Sequence, residues 1–447
     1  MKILSLRSIV VVLLVGTAVA VVHHFWLAYS LEQKGLSVIA YSDGQFWLMQ
    51  GPPNDRLIAC TVIYHFDSPL DESQLKGRMT QLTQAHSMFQ RNVVELNGLP
   101  YWQSAVSEWD TLYRVLSPGE RLASAVIKAE QDVSSASGIG GGDPLFRVLV
   151  SSDRKQLAFV WHHVISDFEG MFNKHAKYLF HEEGERTRFG YQLRNRSGPN
   201  QDTSGKMQGG LAAQISADRP LGFVSNAYVV TRIVLPLGDM ELYELGRQSG
   251  LPMSDVFSFI ALRAATLYEE SRSQIGVESN APVKLLPMIS PISLRNSSLE
   301  LDEGNNRAIK TFPFVFPAGT VKDLHQRVLA LESASSSYES AGAAMKVAKR
   351  FSWLEKKFRQ LAMPDYISNY FPLADRPLAM GDAVLVGHEL RVPMVPYERV
   401  KFAWSNYAGQ VELFLHTDPE LIATDEMRAS VQNAIFEVLA YLEAILP

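Results

Sequence analysis

The side chains best suited to moving a proton lie together between Trp161 and Gly170, in the order WHHVISDFEG. Two histidines, His162 and His163, are followed by Asp167 four residues after the second. An imidazole with an ordinary pKa near ~6.5 can take a proton at neutral pH and return it, so the pattern suggests general acid/base chemistry. The apolar run Leu157 to Val160 predicts a strand leading into the pair, which would turn His162 and His163 to opposite faces. Beyond Asp167, the spacing of Phe172, Ala176 and Leu179 predicts a helix, placing the aspartate where a strand hands over to a helix. Adjacent strand residues point apart and cannot both ligate one ion without distortion, so no metal site is expected. The plainer alternative is two unrelated strand histidines in core or surface places, and the aspartate at this spacing weighs against it.

The rest of the chain must position that turn. At 447 residues, 47% hydrophobic and 20% charged, it can bury more than one ordinary core, and two lobes of similar size are expected. A net charge of −5 without a long basic run argues against nucleic-acid binding. Cys60 is the only cysteine, which excludes an intrachain disulfide, and it falls in a strand-like run from Leu57 to Phe66, where a small core side chain is expected.

The N-terminus carries Lys2 and Arg7, then an apolar run from Ile9 to Val22. A membrane anchor within residues 1–30, with Phe25, Trp26 and Tyr29 in the interfacial belt, competes with a cleaved signal ending at Ala18-Val19-Ala20. The apolar character continues past Ala20, which favours the anchor and hence a membrane-associated protein. A cleaved signal would instead make it secreted or periplasmic. Lys34 on the other flank leaves the sidedness open. His23-His24 does not repeat the motif, because Ala28 stands in the aspartate's place.

Leu75, Met79 and Leu82 mark an amphipathic helix near Asp71 to His86, and Ser134 to Gly142 reads as a loop. Arg186 to Pro220 is rich in Ser, Gly, Asn and charge and makes the best linker, so residues 31–215 and 216–447 are expected as the two lobes. The second opens with a strand from Ala227 to Leu235 and a helix near Asp239 to Gln248 that Gly250 can end. Ser254-Asp255 precedes a helix over Val256 to Glu270, and a polar helical region is expected from Val321 to Leu361. Phe402 to His416 reads as a hairpin turning at Ala408-Gly409, and Asp425 to Leu446 as a closing helix.

HHVISD resembles the HHxxxD(G) signature of the acyltransferase superfamily that includes chloramphenicol acetyltransferase and peptide-synthetase condensation domains, and the chain resembles its wax ester synthase/diacylglycerol acyltransferase-like branch most. Pro144-Leu145-Phe146-Arg147 is similar to that family's PLW segment, Leu285 to Arg295 to its PVSLR strand, Gly304-Asn305 to its GN segment, Ser368-Asn369 to the SN of SNVPGP, and Ser405 to Gly409 to SYAG. Phe168 departs from the signature by replacing its glycine, and Tyr370, Phe371 and Pro372 replace the glycine-containing turn after the SN pair.

The resemblance implies an α/β fold of two chloramphenicol-acetyltransferase-like lobes, each a mixed sheet flanked by helices. It implies an O-acyltransferase that moves an acyl group from a thioester, acyl-CoA as co-substrate, to an alcohol, giving a lipid or wax-ester-like product with no cofactor. In that reading His163 is the general base, His162 supports the strand, and Asp167 holds geometry through a salt bridge to Arg295, whose guanidinium can satisfy both carboxylate oxygens. Asn369 and Ser405 are candidates for oxyanion or substrate contacts, and Phe168 for the wall of the channel to His163. Two alternatives stay open: a condensation-type enzyme whose donor rides on an acyl carrier protein, and a non-catalytic acyl-chain-binding protein of the same fold. The sequence has no GxSxG pentad to support an acyl-serine route.

Overall fold

The computed structural model describes residues 26, 29–40, 43, 46–47, 58–96, 99–104, 112–134, 145–180, 228–274, 285–293, 307–315, 319–330, 335–337, 365–394 and 398–446. The first half supplies strands β1 (Leu36–Val38), β2 (Ala59–Phe66), β3 (Arg91–Leu96), β4 (Leu99–Ser104), β5 (Tyr113–Val115), β6 (Phe146–Val150) and β7 (Gln156–His162). Helices α1 (Glu72–Ala85), α2 (Leu122–Ser134) and α3 (Phe168–Tyr178) accompany them. Helix α1 starts where expected: Asp71 accepts a 2.7 Å bond from the Gln74 amide, and Leu75, Met79 and Leu82 form its buried stripe.

The second half supplies β8 (Val229–Gly238), α4 (Asp239–Gln248), α5 (Met253–Gln274), β9 (Leu285–Ser293), β10 (Arg307–Val315), α6 (Val321–Ala330), β11 (Ser335–Ser337), β12 (Tyr366–Ala374), β13 (Ala379–Met380), β14 (Ala383–Arg391), β15 (Val400–Tyr407), β16 (Gln410–Thr417) and α7 (Thr424–Ala444). Two expectations need correction here. Helix α5 begins at Met253, so Ser254 and Asp255 lie inside its first turn and do not precede it. Helix α6 stops at Ala330 and a short strand follows, so the polar region from Val321 is not one helix; residues 338–364 lie outside the described set.

Three sheets result: β1-β4-β3, a seven-stranded sheet β11-β10-β9-β12-β15-β16-β8, and a six-stranded sheet β13-β14-β2-β7-β6-β5. Both large sheets are mixed, with β5 parallel to β6 in one and β12 parallel to β15 and β9 in the other. A boundary at residue 215, itself outside the described residues, does not partition these sheets. The β13-β14 hairpin comes from the second half yet pairs with β2, from Leu385 opposite Phe66 to Arg391 opposite Thr61. Without it β2 would be an open edge of unpaired amides and carbonyls, which a folded protein covers.

Strands β2 and β7 of the first sheet are buried on both faces, which explains their continuous apolar runs. Cys60, Val62, Tyr64 and Phe66 of β2 and Leu157, Phe159 and Trp161 of β7 face one core, while Ala59, Ile63, Ala158 and Val160 pack beneath α2. The first of these cores does not end at the lobe. It runs on to Phe371, Leu373, Ala403, Tyr407 and Phe414 of the second sheet, whose other face packs under α4, α5 and α7. The seam between the two sheets is therefore a packed apolar layer that α3 enters.

The β15–β16 hairpin turns at Ala408 (φ 49°) and Gly409 (φ 83°). Positive φ at both central positions marks the primed turn that suits twisted strands, but a side chain at the first position is strained unless it is Asn, Asp or Gly. Ala408→Asn is expected to stabilise the protein by about 0.5 kcal/mol in chemical denaturation, and no gain or a loss would contradict the strain.

Candidate active site

Strand β7 ends at His162, three residues of turn follow, and Asp167 caps α3 by accepting the Gly170 amide at 2.7 Å. A carboxylate at a helix N-terminus satisfies a free amide and meets the positive end of the helix dipole, so this aspartate fixes the exit angle of the turn. Trp161 closes the loop from inside, its indole Nε1 donating to the Ser166 carbonyl at 2.9 Å.

The two histidines have different environments. His162 is fully buried and its Nδ1 accepts the Val164 amide at 3.0 Å. Burial, reinforced by the adjacent His163, pushes His162 down to about 3, so it is neutral in the fold and serves the turn. His163 is only partly exposed, with its backbone amide tied to the Ile58 carbonyl and its Nδ1 edge buried.

The sequence reading missed a second layer over this pair. Phe46 stacks on the His163 imidazole with ring centroids 3.7 Å apart and planes 5° from parallel. Trp47 lies against His162 at 5.3 Å and donates its Nε1 to Glu95 of β3 at 2.8 Å, so the small sheet holds this aromatic pair in place. The signal available was the apolar stretch around Phe46-Trp47, but nothing local ties it to residues more than a hundred positions away.

Phe168 stands at the first position of α3 and is 1% exposed. Its ring meets Trp161 edge-on at 4.9 Å, Phe172 at 5.8 Å and Phe371 of β12 at 4.8 Å. In this geometry it is part of the apolar layer between the sheets. Phe168→Gly, which restores the signature residue, is expected to destabilise the fold by about 3 to 5 kcal/mol, as for other large core truncations. A loss below about 1 kcal/mol with faster turnover would instead make Phe168 a channel wall.

Asn369 and Ser405 sit on the second sheet facing the same seam. Alternation along β12 puts Asn369 on the face of Phe371 and Leu373, opposite Tyr366 and Tyr370. Asn369 is 7% exposed and its buried Oδ1 finds no hydrogen-bond partner among the described residues. A buried amide oxygen without a partner is uncommon in a finished core. Ser405 differs: its Oγ donates to the Phe371 carbonyl at 2.8 Å and meets His388 Nε2 at 2.8 Å. Its one proton is committed, so Ser405 in this geometry fastens β14 to the second sheet and has no donor left for an oxyanion. Arg295, the expected partner of Asp167, lies outside the described residues. A carboxylate clamp does exist on the α2 face of the first sheet, between residues the sequence did not single out. Arg391 of β14 grips Glu130 of α2 through two bonds of 2.7 and 3.1 Å, and Thr61 adds a third at 2.8 Å.

Among the described residues no helix is long and apolar enough to cross a membrane, and the run Ile9 to Val22 lies outside them. No protein-family model matches the sequence. A search of curated proteins gives no match either. Solved structures do match. The starter condensation domain of rhizomide synthetase, solved as a variant with C8-CoA, superposes with a TM-score of 0.57 at 14% identity, covering 94% of this chain and 97% of that one. The first condensation domain of the calcium-dependent antibiotic synthetase, solved with a substrate analogue, gives 0.58 at 14% identity, covering 92% and 97%. The wax ester synthase/diacylglycerol acyltransferase from Marinobacter aquaeolei VT8 gives 0.52 at 12% identity, covering 91% and 100%. From these likenesses, and from two mixed sheets meeting at a seam beside an HHxxxD turn, the chain has the two-lobed fold of the condensation-domain and wax ester synthase structures.

Proposed function

We propose that the protein is an acyltransferase that moves an acyl group from a thioester, acyl-CoA in the simplest case, to an alcohol, with His163 as general base. The observation that carries this is the division of labour at the turn. His162 is buried and bonded to the Val164 amide, Asp167 caps a helix, and His163 keeps a partly exposed ring. In the step, Nε2 takes the proton of the alcohol as its oxygen attacks the thioester carbonyl, and returns it to the sulfur that leaves. Asn369 is the candidate on the facing sheet for a polar contact to the oxyanion or substrate. Its unpartnered atom is the acceptor Oδ1, which suits a donor group on the substrate, while an oxyanion would be met by the amide NH2; the Ser405 proton is already committed. The Asp167–Arg295 salt bridge belongs to the same reading.

Membrane association through the N-terminal run is part of the proposal, supported by Trp26 and Tyr29, each 62% exposed just after it. Long-chain acyl donors and alcohols would suit such a location. The donor is tested by supplying octanoyl-CoA and octanoyl-acyl carrier protein separately with a mixture of primary alcohols and measuring thiol release. Release from the CoA thioester supports the reading. Release from the carrier protein alone assigns a condensation-type enzyme, and binding of either without release assigns a non-catalytic acyl-binding protein.

A further inference from the structure

The aromatic stack over His163 has a chemical consequence of its own. Two rings whose centroids lie 3.7 Å apart, 5° from parallel, cover one whole face of the imidazole. Phe46 is 6% exposed, and the neighbouring Trp47 is 2% exposed and bonded to Glu95, so the ring rests on a fixed support. A base that receives a proton becomes an imidazolium, and a cation over the face of an aromatic ring is attracted by the ring's quadrupole, more strongly when water is excluded. The same contact fixes the plane of the imidazole, so that Nε2 has one direction in which to meet a hydroxyl.

We infer that Phe46 is a positioning residue for His163, which holds the imidazole plane and favours the protonated ring formed during transfer. The inference rests on the proposal that His163 is the base. The titratable groups on neighbouring elements are His162 on β7, neutral and pushed down to about 3 by burial; Asp167 at the start of α3; Asp43, three residues before Phe46; and Glu95 on β3, bonded to Trp47. Substitutions at position 46 alter none of the four residues themselves. With one face covered, donor and acceptor must reach Nε2 in the ring plane or from the uncovered face.

The test needs no substrate. Diethyl pyrocarbonate acylates the neutral imidazole, so the rate of carbethoxylation at His163, read by peptide mass spectrometry across about pH 5 to 8, reports when that ring gives up its proton. In Phe46→Leu and Phe46→Met, which fill similar space without a π face, the midpoint is expected to fall by about 0.5 to 1 pH unit. Phe46→Tyr, which keeps the face, should leave it where the wild type has it. A change of access alone alters the plateau rate and not the midpoint. Coincident midpoints in wild type, Leu and Met variants overturn the inference, as does a Tyr variant that falls with them. Loss of turnover in His163→Ala is read in a separate assay, so failure of the acyl-transfer reading cannot be mistaken for failure here.

Discussion

His163→Ala is expected to lower transfer from acyl-CoA to alcohol by about 10²- to 10⁴-fold, the range for losing a positioned general base. The ring is partly exposed and its backbone amide, not its side chain, ties the turn to Ile58, so the fold should persist. Binding of the thioester should change little, because the imidazole is needed only as the alcohol loses its proton. The split is therefore in kcat, with KM within a few-fold. His162→Phe offers a contrast: it removes the Nδ1 acceptor of the Val164 amide and disturbs the turn, lowering stability as well as rate. A His163→Ala variant with undiminished kcat would remove the base from this site.

The second large effect is on stability in mild acid. His162, His175, His388 and His416 are fully buried and each is pushed down to about 3, first by burial and then by nearby positive groups. Unfolded, each would titrate near ~6.5. Above that pH both states are neutral and the histidines contribute no pH dependence. Below it the unfolded chain binds protons that the folded chain does not, so stability falls as pH drops from about 6.5 toward about 3. At about pH 5 each histidine would cost roughly 2 kcal/mol, and four together reach the size of a domain's whole stability. Carboxylates held low by hydrogen bonds, such as Asp67, Asp71 and Asp153, act in the same direction but in a lower window. Thermal melts should show a steep fall in Tm between about pH 6.5 and 5, with proton uptake on unfolding. A flat Tm across that window would mean that these rings do not stay neutral in the fold.

Much of this arrangement was legible in the sequence because the information is local. The apolar run before His162, the helical stripe after Asp167 and the amphipathic helix from near Asp71 are each set by residues within a turn or two. The hairpin at Ala408-Gly409 was legible for the same reason. What escaped is non-local. The pairing of β14 with β2 joins residues more than three hundred positions apart, and Arg391 meets Glu130 across 261. Neither leaves a periodic trace, since an isolated arginine on a strand looks like any surface charge. Phe46 was unreadable as a neighbour of His163 for the same reason. Ser405 shows the opposite limit: its place in a familiar segment suggested a donor, and only the positions of Phe371 and His388 reveal that its proton is already used. Helix α6 ended early because polar composition alone does not say where a helix stops.

The central claim is that one partly exposed imidazole at the seam of two sheets passes a proton while an acyl group changes carrier. The most direct measurement incubates the purified full chain, wild type and His163→Ala, with palmitoyl-CoA and 1-hexadecanol and weighs the products by mass spectrometry. One ester formed per free CoA released by the wild type, and next to none by the variant, is the predicted result. Ester at the same rate from both proteins, or palmitoyl-CoA bound and returned intact by the wild type, would contradict it.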